Sequence, residues 1–178
     1  HNVSDALAAS ALALVHGVDR SAIRAGLTGY VPEPHRNAPV RTVGDVLYVN
    51  DSKATNPHAA YASLRSYTDI VWVAGGQLKG VDIDELVAAV AGRLRGVVLV
   101  GVDRTQIAEA LGRHARTIPV VDVSRADDGA MTEVVAAAAR LAQPGDTVLL
   151  APAAASLDMY SGYAERGEAF AAAVRALS

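Results

Sequence analysis

A mostly parallel α/β sheet with helices on both faces is the fold class this sequence predicts, and three observations carry that expectation. Four short apolar runs, DIVWVAG, GVVLVG, IPVVDV and DTVLLAP, recur between residues 69 and 152. They are nearly continuous in Val, Ile and Leu, as strands buried on both faces are. Stretches with helical spacing of apolar residues separate them, so strand and helix alternate to the end of the chain. Upstream, VRTV and VLYVN flank Gly44-Asp45, which reads as a hairpin and adds one antiparallel strand.

Taken in order, the first thirty residues differ from the rest. Ser4 to His16 is rich in alanine and leucine, with Ser4 placed to cap and Gly17 placed to stop, and predicts a helix. Ser21 to Thr28 predicts a second, shorter one. GYVPEPHRNAP then packs three prolines and a glycine into eleven residues, which favours extended or turning backbone. A domain boundary is therefore expected near Pro32, giving segments 1–32 and 33–178. Beyond the hairpin, helices are expected over Pro57 to Arg65, Ile83 to Leu94, Arg104 to His114, Gly129 to Ala142 and Tyr163 to Leu177. The whole is an open, Rossmann-like sheet, and in such sheets ligands bind in the loops at the carboxyl ends of strands.

Bulk properties exclude several function classes. At 178 residues there is room for one well-packed domain and something appended. The chain is 51% hydrophobic, yet no apolar run approaches the roughly 18 residues needed to cross a bilayer, so no membrane association is expected. A net charge of −3 and a pI near 5.9, without a basic cluster, argue against a nucleic acid partner. Cysteine is absent, which removes disulfides and thiolate metal sites and fits a cytoplasmic location. The chain opens on His1-Asn2 without an initiator methionine and is expected to be a segment of a larger protein.

Three strand ends concentrate the polar chemistry: VNDSKATNP, AGGQLKG and APAAASLD. In the first, Asn56-Pro57 has the form of an N-cap followed by proline at the first helical position, which turns a helix amino end towards Asp51, Lys53 and Thr55. Such an end beside a lysine favours an anion, although a capped, solvated turn has the same sequence. The basic residues sharpen the choice. Fourteen of sixteen are arginine, and the two lysines, Lys53 and Lys79, both fall in strand-end loops. A compact ammonium is retained there where a planar fork would not fit, with a phosphoryl oxygen or a carboxylate as its natural counter-ion.

The second loop, Gly75 to Gly80, lets backbone approach a ligand closely. It is not a phosphate loop, since neither GxGxxG nor Gly-x-x-x-x-Gly-Lys-Ser/Thr occurs in the chain. In the third, Ser156 can cap the next helix, the commoner role, or donate to a ligand oxygen. It lacks the Gly-x-Ser-x-Gly setting of a nucleophile, which sets hydrolase chemistry aside. His16, His58 and His114 show no zinc-ligand spacing. His35-Arg36 lies just past the boundary, where an arginine can reach a ligand held by two domains. Tyr160 and Tyr163 can form a pocket wall or pack in the core.

Together, DSKATNP, AGGQLKG and APAAASLDMYSGYAERGEAF, with the upstream HN and PHR, resemble the Mur ligase family over essentially the whole chain. DSKATN is the most specific part, and its lysine form points to the branch that adds D-glutamate. The resemblance implies a protein of N-terminal, central ATPase and C-terminal domains. Residues 33–178 would be the C-terminal domain and residues 1–32 the helical tail of the central one. It implies ATP-dependent ligation of D-glutamate to UDP-N-acetylmuramoyl-L-alanine in peptidoglycan synthesis, through an acyl phosphate, with Mg2+ held by residues outside this chain. A fragment without the phosphate loop is expected to be inactive, and a monomer is expected.

By the same resemblance Lys53 faces the phosphoryl group as the catalytic residue, while Asp51 and Arg36 address the nucleotide, chiefly its ribose, and Asn2 its adenine. Asp5 falls where some relatives have asparagine. Thr55, Lys79, Ser156 and Leu157 match the D-glutamate pocket, and Tyr163 stands where phenylalanine is the family residue. Two alternatives remain: a sister ligase for another amino acid, and a stand-alone Rossmann-like module that binds an acidic metabolite.

Overall fold

A computed structural model of the chain describes residues 2–127 and 129–178, residue 2 by its backbone alone. It contains two compact units, His1–Glu33 and Pro34–Ser178. The first is a helical pair, α1 (Asn2–Val15) and α2 (Arg20–Gly29). Helix α1 is already under way at Ser4, so Ser4 is not its cap. Its end does follow the sequence: Gly17 sits at φ +79°, its N–H donates to the Leu14 carbonyl, and the Val18 N–H donates to Ala13. Asp19 caps α2, accepting from the Arg20 N–H, so this helix begins one residue before the expected Ser21. Two short helices cannot bury their own apolar side chains, and Val3, Leu7, Leu12, Leu14, Val15 and Leu27 are all exposed.

The second unit is built on six strands, β1 (Ala38–Val43), β2 (Val46–Asn50), β3 (Ile70–Gly75), β4 (Leu94–Val100), β5 (Val120–Asp122) and β6 (Thr147–Leu150). They lie in the order β1-β2-β6-β3-β4-β5, antiparallel between β1 and β2 and parallel elsewhere. Five helices cover the sheet: α3 (Pro57–Leu64), α4 (Asp84–Val90), α5 (Arg104–His114), α6 (Ala130–Leu141) and α7 (Tyr163–Arg175). Helix α4 stops four residues short of the expected Leu94. A 3-10 turn over Ala91–Arg93 follows it, and Leu94, at ψ 131°, already belongs to β4.

The strands alternate their side chains between two cores, as the period of two requires. Ile70, Trp72 and Ala74 of β3 join Leu64 of α3, Val87 of α4 and Ile107 of α5 on one face. Val71 and Val73 join Val134 and Val135 of α6 and Phe170 of α7 on the other. The chain therefore steps outward from β3 through β4 to β5 along one face. It then returns by α6 on the opposite face and inserts β6 between β2 and β3. After β3 it enters α4 on the first face, and after β6 it enters α7 on the second. The carboxyl ends of these neighbouring strands thus mark the point where the winding reverses, which is where open α/β sheets form a crevice.

Candidate functional site

Strands β2, β6 and β3 are adjacent and parallel, so the loops 51–56, 151–162 and 76–83 emerge side by side. Backbone hydrogen bonds join them. The Ala153 N–H donates to the Ala54 carbonyl at 3.0 Å, and the Gly75 N–H donates to Pro152 at 2.9 Å. Gln77 and Ala155 exchange a pair of bonds at 2.8 and 2.9 Å. Gly76 makes this close approach possible: a Cβ there would lie 2.1 Å from the Ala155 carbonyl oxygen, and its φ is +130°. Leu78 N–H bonds the Asp103 carboxylate at 2.7 Å, and Asp103 N–H returns a bond to the Gly76 carbonyl.

The predicted residues sit on this frame in two groups. Thr55 follows Ala54, which is bonded to Ala153. Ser156 follows Ala155, and Lys79 lies two residues past its partner Gln77. The three therefore share one end of the sheet. The Thr55 and Ser156 hydroxyls and the Lys79 ammonium make no hydrogen bond or ion pair among the described residues. Lys79 is held at φ +55°, an uncommon conformation for a residue with a Cβ. Ser156 is buried, and its hydroxyl does not cap the following helix. Its backbone carbonyl accepts from the Met159 and Tyr160 N–H groups instead, and α7 begins after Gly162 without a side-chain cap. Leu157 is exposed beside it.

The second group surrounds Lys53. Its Nζ lies 5.3 Å from the centroid of the Tyr163 ring, within cation-π range, and the His35 ring meets the same tyrosine edge-on, with 6.3 Å between centroids. The structure thus brings Tyr163 to Lys53. Tyr160, by contrast, is partly buried against the second core. Burial pushes the Asp51 carboxyl above its usual value. The Ser63 hydroxyl opposes this without making a well-aligned hydrogen bond, as do the Asn37 N–H and the Arg36 charge. Asn56 caps α3, accepting from the Ala59 N–H at 2.9 Å, with Pro57 in the first turn as expected. Asn2 opens α1, but its side chain lies outside the described residues.

Three further residues organise the site. Asn50 Nδ2 donates to the Gly167 carbonyl at 2.9 Å and to His35 Nδ1 at 3.0 Å, while its Oδ1 accepts from Ser52 N–H. This network makes Nδ1 of His35 the acceptor and places the proton on Nε2, which faces Glu168 at 3.5 Å. The His35 carbonyl in turn accepts from the Lys53 N–H at 3.1 Å. Arg166 of α7 is only 2% exposed. It donates to the Ser52 hydroxyl and carbonyl at 3.0 and 2.9 Å, to Ala154 at 3.1 Å and to Gly75 at 3.5 Å. Burial lowers its guanidinium to about 10 against the pull of Asp158 and Tyr160, so it stays charged at neutral pH. His35 had a sequence signal in its place beside the prolines. Asn50 and Arg166 had none, because an apolar strand end and one arginine among fourteen look ordinary. No group of three or more His, Asp or Glu side chains positioned to hold a metal occurs among the described residues, and no helix there is long and apolar enough to cross a membrane.

A family model for the Mur ligase, glutamate ligase domain matches residues 35–154. The UDP-N-acetylmuramoylalanine–D-glutamate ligase of Thermobifida fusca (strain YX) is 65% identical over 178 residues, all of this chain and 38% of that protein. The ligases of the same name from Streptomyces coelicolor and Mycolicibacterium smegmatis are 58% and 48% identical, over 99% and 98% of this chain and 38% and 41% of theirs. The chain therefore spans about two fifths of the length of these relatives. Among solved structures, the UDP-N-acetylmuramate-alanine ligase MurC of Thermotoga maritima superposes with a TM-score of 0.67 at 16% identity, over 98% of this chain and 38% of that one. MurF of Acinetobacter baumannii does so at 0.58 and 22%, over 84% and 34%. These two likenesses establish the fold, a mostly parallel α/β sheet with one antiparallel pair. On the family match, the chain belongs to the Mur ligase family, in its glutamate ligase domain.

Proposed function

We propose that this chain supplies the D-glutamate site of an ATP-dependent ligase that extends UDP-N-acetylmuramoyl-L-alanine. The observation that carries the reading is the set of three polar groups, Lys79 Nζ and the Thr55 and Ser156 hydroxyls, left without a partner among the described residues on three stitched strand-end loops. A lysine held at positive φ is costly unless it serves a ligand. One ammonium and two hydroxyls suit the two carboxylates of glutamate. In this reading Lys79, Thr55 and Ser156 bind those carboxylates, Leu157 borders the pocket, and the amine is left free to attack.

Lys53 has the charge and position to stabilise a transferring phosphoryl group, and the Tyr163 face limits where its ammonium can go. Asp51, just past β2, and Arg36, whose charge acts on it, are suited to a ribose hydroxyl and a nearby phosphate. ATP supplies the phosphoryl group that activates the alanyl carboxylate. The glutamate amine displaces phosphate from that acyl carbon and releases its proton. No residue of this chain is assigned to Mg2+. Residues 1–32 are proposed to be the tail of the ATPase domain, which would cover their exposed leucines and valines. Asn2 would address the adenine, and the remaining domains, the cytoplasmic setting and the monomeric state follow from the same reading.

Calorimetric titration of the full-length protein with D-glutamate, L-glutamate and meso-diaminopimelate tests it, in the presence of ATP analogue and nucleotide substrate. D-glutamate is expected to bind in preference to both. Preference for diaminopimelate would move the chain to a sister ligase. Binding of an acidic metabolite without any coupling to nucleotide would make it a stand-alone module.

A further inference from the structure

Arg166 lies at the point where the winding of the sheet reverses, on the helix that follows β6, and its fork reaches all three loops of the candidate site. Its Nε and Nη2 hold Ser52 in the first loop, and Nη1 is shared between Ala154 in the third and Gly75, the last residue of β3 before the second. Each anchor is near a residue assigned to ligand: Ser52 precedes Lys53, Ala154 is two before Ser156, and Gly75 is four before Lys79. Among the described residues the loops are otherwise tied by backbone bonds: the Gln77 and Ala155 pair, Gly75 N–H to Pro152 and Ala153 N–H to Ala54.

A purely stabilising role explains this arrangement poorly. The desolvation cost of a buried guanidinium can exceed what its hydrogen bonds return, and apolar side chains of similar volume often serve stability as well. Its planar fork does what an apolar side chain cannot, fixing several carbonyls in one geometry at once. We propose that Arg166 is a positioning residue for the amino-acid site, setting the spacing of Lys53, Lys79 and Ser156 without touching substrate. The inference rests on the D-glutamate reading of those loops.

The test uses the full-length protein carrying Arg166→Lys, which keeps the charge but cannot span three loops. Val174→Ala, on the same helix with its side chain fully buried in the core, is the control for lost stability. R166K is expected to lower kcat/KM for D-glutamate about 10- to 100-fold, most of it in KM, because displacements of an ångström cost rates of that order. V174A is expected to lower Tm and leave that KM at the wild-type value. Amide exchange in segments 75–80 and 153–158 is expected to quicken in R166K and not in V174A. Wild-type KM in R166K, an equal rise of KM in V174A, or unchanged exchange in the two segments overturns the proposal. Ser52→Ala removes one acceptor and gives a milder form of the same test should R166K not fold: wild-type D-glutamate KM there also overturns it. If the unaltered protein makes no use of D-glutamate, the functional reading fails, and the exchange comparison still decides the role of Arg166.

Discussion

Replacing Gly76 by alanine perturbs the close approach on which the candidate site depends. The added Cβ would lie 2.1 Å from the Ala155 carbonyl oxygen, a separation that demands a shift of about 1 Å in one of the two loops. That shift breaks the paired bonds between Gln77 and Ala155, worth about 1 kcal/mol each in net terms. Holding alanine at φ +130° adds about 1–3 kcal/mol. The total is about 3–5 kcal/mol, a fall in Tm of about 10–15 °C for a unit of this size. Gly80→Ala isolates the conformational part. Gly80 has φ +77°, but an added Cβ would meet nothing within 4 Å, so only about 1 kcal/mol is expected. Thermal unfolding followed by the fluorescence of Trp72, the single tryptophan, reads both variants. Equal losses for Gly76→Ala and Gly80→Ala would mean that the collision with Ala155 contributes nothing.

Other expectations follow from the same geometry. Trp72→Phe removes the bond from Nε1 to the Ala151 carbonyl at 2.7 Å and leaves a void in a fully buried position, for a loss of about 2–4 kcal/mol measured by circular dichroism in denaturant. Asp84 accepts from Arg113 at 2.6 and 2.8 Å and contacts His114 at 2.8 Å, and these partners, Arg113 foremost, hold its carboxyl well below the usual range. A depressed folded pKa adds stability above the unfolded value and loses it as pH falls through the folded one. The gap in Tm between wild type and Asp84→Asn is therefore expected at neutral pH and should shrink as pH drops below 3.8. A gap independent of pH would contradict the ion-pair origin.

Much of this architecture was legible in the sequence because its signals are local and periodic. The continuous apolar runs announced buried parallel strands, Gly44-Asp45 announced the hairpin, and Asn56-Pro57 announced the start of α3. The insertion of β6 between β2 and β3 was not legible, because strand order depends on crossovers between distant segments. The end of α4 was overrun because Ala91 to Leu94 keeps helical composition while the backbone tightens and then extends. In the site, rarity made the lysines visible. Arg166 stayed hidden because its significance is burial and reach, which composition does not encode. The hydroxyl of Ser156 was ambiguous for the same reason: only the structure distinguishes a cap from a group left for something else.

The most direct test of the central claim is a pair of steady-state measurements on the full-length protein carrying Lys79→Ala or Lys53→Ala. A single lysine facing a substrate carboxylate contributes about 1.5–3 kcal/mol, so Lys79→Ala is expected to raise KM for D-glutamate about 10- to 100-fold with a smaller effect on kcat. Lys53→Ala is expected to depress kcat by a factor of about 100 or more. Wild-type D-glutamate kinetics in the Lys79 variant would contradict the account.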